Sequence, residues 1–250
     1  MTHSNATSLP FNLHGHRILI NGAAGGIGQA TARLLDAMGA NLILSDFNRI
    51  PELHQLANTL KHVENILDCD VTCRIAVETI IESAGALDAL ADTSGICPYD
   101  DDWTAPDWNE NAFTKVMQIN VLGPINLVRA VMPGMIERGQ GRIALCGSIA
   151  GWTGGLRAGP HYAASKGALH ALVRWAAQQC IQHNVIINGV APGPVNTPMT
   201  SNHGYAPEKY PMKRMGLPEE IASAIAYLCS PAASYSTGTI MDVNGGTYFR

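Results

Sequence analysis

A chain of 250 residues, 46% of them apolar and 14% of them Asp, Glu, Lys or Arg, has the material for one large α/β core and too little charge to stay disordered. A net charge of −4 without any Lys/Arg block leaves no electrostatic footprint for nucleic acid or an anionic membrane, which favours small-molecule chemistry. The start, Met1 to Pro10, lacks the basic and apolar regions of a secretory signal, and no apolar run approaches the ~18 residues of a membrane span. A cytoplasmic protein is expected, with a flexible tail over residues 1–13 and a single domain over 14–250.

Short β-rich runs alternate with helical patterns from Arg17 onward, which predicts a doubly wound Rossmann-type domain with a seven-stranded parallel sheet flanked by helices on both faces. The first strand, Arg17–Asn21, runs into Gly22-Ala-Ala-Gly-Gly-Ile-Gly28 and then a helix whose apolar residues Ile27, Ala30, Leu34, Leu35 and Met38 share a face. A glycine loop between a strand end and a helix N-terminus binds anions, because backbone N–H groups and the helix dipole meet a closely approaching phosphate. The loop lacks the G-K-[ST] ending of an NTPase loop. The second strand, Asn41–Asp46, ends in Asp46 and Phe47, about 20 residues past the loop, where a carboxylate can accept from ribose hydroxyls. That carboxylate would repel a 2′-phosphate, and Arg49 is the only nearby cation, so NAD is expected over NADP.

Further strands are predicted at Val63–Cys69 and Leu87–Thr93, followed by a long helix that carries Asn120. The strand Arg142–Gly147 delivers Ser148 to the carboxyl edge of the sheet, where parallel sheets place ligands. The i, i+4 spacing of Tyr162 and Lys166 puts phenol and ammonium on one helix face, and a nearby Lys⁺ favours the phenolate, drawing a group of pKa about 10 toward use as a base. After the strand Val185–Val190, the proline-rich stretch from Pro192 to about Leu217 is long enough to read as a substrate lid near 195–216. The last strand is Thr239–Val243. Cys69, Cys73, Cys97, Cys146, Cys180 and Cys229 form no C-x-x-C pair, so free, mostly buried thiols are expected and no metal site is signalled.

Taken together, Gly22, Gly26 and Gly28, Asp46, the Asp70-Val71 pair, Asn120, Ser148, Tyr162 with Lys166, and Pro192-Gly-Pro-Val-Asn-Thr197 resemble the classical short-chain dehydrogenase/reductases. The layout over residues 14–248 is similar to that of the 3-oxoacyl-carrier-protein reductases and NAD-dependent secondary alcohol dehydrogenases. The resemblance implies a cofactor held by Gly22, Gly26, Ile27, Gly28, Asp46, Phe47, Asp70, Val71, Ser94, Gly95, Tyr162, Lys166, Pro192, Val195 and Thr197. It implies Tyr162 as general acid/base, Lys166 as the residue that lowers the tyrosine pKa, Ser148 as hydrogen-bond partner of the substrate oxygen, and Asn120 as the holder of a relay water. It also implies a homo-oligomer, commonly a tetramer. Asn21 stands where the family usually has Thr, and Asp92-Thr-Ser-Gly95 where it usually reads Asn-Asn-Ala-Gly.

By position, Cys97, Pro98, Tyr99, Trp152, Gly154, Gly155, Leu156 and the loop around Met199 to Tyr210 are expected around a small to medium alcohol or ketone, while Arg157 and His161 are open between meeting an anionic substrate and being exposed loop charges, the commoner case. A hydrolase using Ser148 and His161 is disfavoured, because Gly147-Ser-Ile-Ala-Gly151 is not G-x-S-x-G and no third residue orients the histidine. A non-catalytic NAD-binding sensor or scaffold of the same fold is the alternative, and Asn120, Ser148, Tyr162 and Lys166 argue against it.

Overall fold

The computed structural model describes residues 10–250 apart from Asp101, Asn109 and Leu156. Among the described residues, seven strands form one parallel sheet: β1 Arg17–Asn21, β2 Asn41–Asp46, β3 Val63–Asp68, β4 Ala89–Asp92, β5 Gly141–Cys146, β6 Val185–Pro192 and β7 Ile240–Val243. Their spatial order is β3-β2-β1-β4-β5-β6-β7. The order reverses between β1 and β4, and the crevice outside the carboxyl ends at such a reversal is where open α/β sheets bind ligands.

Side chains alternate across each strand and feed two cores. Ile18, Ile20, Leu42 and Leu44 pack beneath α1 (Gly26–Ala37), α2 (Ile50–Ala57) and α8 (Pro218–Cys229). Leu19, Ile43, Ile143 and Leu145 face α3 (Arg74–Ala84), α5 (Gly123–Arg138) and α7 (Pro160–Cys180). Strands covered on both sides explain why they read as apolar runs without a polar face.

Two local readings are corrected. Residues 10–13 are docked where a loose tail was expected: Leu13 is fully buried, its N–H donates to Met38 O at 3.1 Å, and Pro10 O accepts from Ala232 N. Residues 1–9 of that tail lie outside the described residues. The helix carrying Asn120 is not uniform: α4 (Asn111–Met117) and α5 are joined by a π-turn over Gln118–Leu122. The whole run Asn111–Arg138, 28 residues with a mean hydropathy of 1.3 over its most apolar window, is also long and apolar enough by composition to cross a bilayer. In this fold 44% of that window is buried, and α5 packs on α3, α7 and β5. Of the cysteines, Cys69, Cys146, Cys180 and Cys229 are buried, but Cys73 is exposed and Cys97 half-buried.

Candidate active site

The glycine loop is shaped by contacts that a side chain would destroy. Gly22 has φ +74°, and a Cβ there would stand 2.7 Å from Ser94 N at the end of β4. A Cβ on Gly28 would fall 2.1 Å from Gly22 O, and one on Gly26 would meet the Thr197 side chain at 2.9 Å. These absences leave a backbone-lined cradle between the ends of β1 and β4 and the loop after β6, the form that a dinucleotide pyrophosphate requires. Asp46 braces the cradle: its carboxylate accepts from Ala24 N at 3.0 Å and from Phe47 N at 2.8 Å. Burial raises its pKa, opposed by those two backbone hydrogen bonds. Arg49 is ion-paired with Glu52 at 3.0 Å.

Asn21 and Asp92, two positions that depart from the family pattern, are partners. Asn21 Nδ2 donates to Asp92 Oδ1 at 2.9 Å, and the same oxygen accepts from Ser94 Oγ at 2.7 Å and Ser94 N at 3.1 Å. Both side chains are buried, and burial raises the Asp92 pKa. The pair ties β1 to β4 where the cradle opens. Asp70 turns the chain after β3 by accepting from Thr72 N at 2.9 Å, and Val71 is buried against Gly123 while its carbonyl accepts from Asn126 Nδ2 at 2.9 Å.

Beside the cradle lies a cleft of about 850 Å³, its open mouth included, lined by Ile27, Ser94, Gly95, Ser148, Tyr162, Lys166, Pro192, Val195, Thr197 and Met199 among others. Ser148 follows β5, and its Oγ accepts from Ala150 N at 3.1 Å as the short α6 (Ala150–Thr153) begins. Pro160 at the first turn of α7 starts that helix, which places Tyr162 half-buried at the cleft floor within hydrogen-bond reach of Ser148. One turn on, the buried Lys166 donates from Nζ to Cys146 O at 2.9 Å and sits 5.7 Å from the Tyr162 ring centroid.

The expected downward pull of Lys166 on Tyr162 is not the dominant effect. Burial raises the phenol pKa above its ordinary value, and the hydrogen bond with Ser148 opposes this. The ammonium is committed to a carbonyl and stands over the Tyr162 ring. Asn120 is buried on the π-turn. Its Oδ1 accepts from Ile96 N at 2.9 Å, and its Nδ2 donates to Ile96 O at 2.9 Å and Ser165 Oγ at 3.1 Å. Both amide protons thus clamp the chain after β4 to α7.

Of the expected pocket residues, Met199 lines the cleft, whereas Leu156 lies outside the described residues. Trp152 faces the other way: its Nε1 donates to Asp242 Oδ1 at 3.2 Å, its ring packs on His170 at 4.2 Å between centroids, and Arg250 covers it. The helical turn of α6 rotates the indole toward β7 and the C-terminus. Gly154 and Cys97 are not among the residues that line the cleft, whereas Thr153, Gly155 and Tyr99 are. Tyr99 and Tyr205, 106 positions apart, join hydroxyl to hydroxyl at 2.9 Å, while Tyr99 stacks on His203 with centroids 4.0 Å apart. The loop after β6 is pinched at its base, where Gly216 N donates to Pro194 O and Asn196 N to Gly216 O, each at 2.9 Å.

Comparison with known proteins points the same way. The chain matches the family described as Enoyl-(Acyl carrier protein) reductase over residues 22–248. It is 34% identical over 240 residues to the 3-oxoacyl-[acyl-carrier-protein] reductase FabG of Rickettsia felis, covering 94% of this chain and 98% of that one. A solved 3-oxoacyl-[acyl-carrier protein] reductase of Brucella melitensis with bound NAD superposes with TM-score 0.86 at 28% identity, covering 100% and 99% of the two chains. An Agrobacterium tumefaciens structure with bound NADP superposes with TM-score 0.84 at 28% identity, covering 96% and 98%.

Proposed function

The chain belongs to the classical short-chain dehydrogenase/reductase family of oxidoreductases, and from that premise we propose that it interconverts a secondary alcohol and a ketone with NAD(H). The observation that carries the reading is the meeting of Tyr162, Ser148 and Lys166 in one cleft beside a cradle that only glycine can form. In the cradle, Gly22, Gly26, Ile27 and Gly28 would hold the pyrophosphate and Asp46 with Phe47 the adenosine ribose. Asp70 and Val71 would border the adenine, and Ser94, Gly95 and Lys166 the second ribose. Pro192, Val195 and Thr197 would hold the carboxamide. When bound, the nicotinamide gives or takes the hydride.

In reduction, Tyr162 Oη donates its proton to the substrate oxygen while the Ser148 hydroxyl hydrogen-bonds the same atom; in oxidation, the Tyr162 phenolate takes the alcohol proton. Lys166 stabilises the phenolate through space. The loop over 195–216 closes over the substrate as a lid. Asp46 supports NAD, because it disfavours a 2′-phosphate and because Arg49 is held by Glu52. Exposed Phe113, Leu122, Ile125, Trp175 and Ile181 on α4, α5, α7 and the adjoining turns support a homo-oligomer, with four copies expected by light scattering, in the cytoplasm.

A panel of alcohols and ketones followed by NADH or NADPH absorbance tests the proposal. Turnover that falls by orders of magnitude in Tyr162→Phe with NADH binding retained supports it. Tight NADH binding without turnover of any carbonyl would favour a sensor instead.

A further inference from the structure

Among the described residues that line the cleft, none is acidic, and the cations are Lys166 and Arg157. Lys166 is spoken for by Cys146 O. Arg157, exposed in the loop between α6 and α7, is not. Arg17, Arg49, Arg74, Arg214 and Arg250 are each ion-paired to a carboxylate, whereas Arg157 has no carboxylate partner among the described residues. Its guanidinium lies over the lid backbone: a Cβ built on Gly204 would stand 3.3 Å from Nη1 and 3.6 Å from Cζ. Its positive charge also reaches the Tyr205 and Tyr210 phenols. The Tyr99 and Tyr205 hydroxyls, bonded to each other at 2.9 Å with Tyr99 also hydrogen-bonded to Cys97, stand on the same wall.

Among the described residues, a guanidinium fork without a counter-ion, the phenolic hydroxyls beside it and no carboxylate to repel a ligand together make an anion-recognition wall. We infer that Arg157 selects substrates bearing an anionic group, a carboxylate or a phosphate, on the same molecule as the reacting carbonyl or carbinol. The inference rests on the oxidoreductase reading of this cleft and narrows it to oxo acids, hydroxy acids or phosphorylated ketols. Arg157 is then a specificity-determining residue that contributes to binding and takes no part in the proton transfer.

The test compares 3-oxo to 6-oxo acids with their methyl esters, and hydroxyacetone phosphate with hydroxyacetone, in the intact protein and in Arg157→Ala, Arg157→Lys and Arg157→Glu. For the best anion, Arg157→Ala is expected to raise KM about tenfold to a hundredfold, the weight of a charge-assisted hydrogen bond, with kcat and the neutral substrates little changed. Arg157→Lys recovers part of the loss, and Arg157→Glu reverses the preference. The acid and phosphate arms decide which anion is meant. Equal kcat/KM for charged and neutral substrates in the unaltered protein, or an Arg157→Ala loss that falls equally on both, overturns the inference and leaves the oxidoreductase reading standing. If no ketone is turned over with NADH or NADPH, that reading falls, and calorimetric titration with pentanoate and inorganic phosphate tests the wall alone. Binding that Arg157→Ala abolishes supports the anion site, and binding it leaves unchanged, or absent from the unaltered protein, overturns it.

Discussion

Acidification is expected to destabilise the fold through His170, a residue with no part in the proposed chemistry. His170 is 1% exposed on α7, and among the described residues neither ring nitrogen has a hydrogen-bond partner. Gly147 and Gly151 make room for it, since a Cβ on either would stand within 2.7 Å of the ring. Burial, then the cations Lys166, Arg174 and Arg250, lower its pKa from 6.5 to about 4, with Asp242 opposing. Between those values the unfolded chain binds a proton that the folded chain refuses, so stability rises with pH across the window and is lost as pH falls from 6.5 toward 4. About 1.4 kcal/mol per unit makes the full loss about 3 kcal/mol, a large part of the stability of an ordinary domain. Urea unfolding followed by tryptophan fluorescence, from pH 7 to about pH 4, should show the stability difference between the unaltered protein and His170→Leu or His170→Phe shrinking or inverting by that amount. Parallel pH curves would refute the argument, as would an NMR titration placing the folded His170 near its ordinary value.

Because burial raises Tyr162, its phenolate is scarce at neutral pH. The rate of alcohol oxidation should therefore climb through the neutral and alkaline range while ketone reduction, which uses the protonated phenol, stays flat; an oxidation rate independent of pH in single-turnover experiments would contradict this. Gly28→Ala places a methyl 2.1 Å from Gly22 O, so NADH affinity by fluorescence titration should drop more than about tenfold, and an unchanged Kd would mean the cradle is not the site. Asp46→Ala should raise KM for NAD and lower it for NADP, and because it also releases Ala24 N, the gain with NADP should be smaller than the loss with NAD. Equal KM ratios before and after would dismiss Asp46 as the discriminator.

What could be read ahead of the structure was whatever the chain repeats locally. Strands such as Arg17–Asn21 and Asn41–Asp46 have the stated limits because an apolar run between turn residues is a local signal. Tyr162 and Lys166 were legible for the same reason, since one helical turn joins them. The π-turn at Gln118–Leu122 left no trace in periodicity, because one wider turn changes the hydrogen bonding without interrupting the apolar pattern. The orientation of Trp152 was likewise hidden: sequence position places it beside Ser148, but its contacts with His170, Asp242 and Arg250 come from elements 18 to 98 residues away. The Tyr99 and Tyr205 pair is a tertiary fact of the same kind. Asn21 and Asp92 read as two separate anomalies, and adjacent strands make them one hydrogen bond.

The division of the cleft between stretches of chain bears on how such a protein can be re-engineered. The cradle comes largely from one contiguous stretch, β1 through the turn after β4, tied internally by Asn21, Asp46 and Asp92. The rim of the cleft comes largely from two excursions, Thr153 to Ala158 and Met199 to Tyr205, whose described residues outside the last turn of α6 belong to neither strand nor helix. Grafting those two excursions from one relative to another would change neither core nor sheet register. Substrate range in this architecture is therefore a transplantable property, and exchanging the segment around Arg157 as a block is a more direct route to a new specificity than altering residues one at a time.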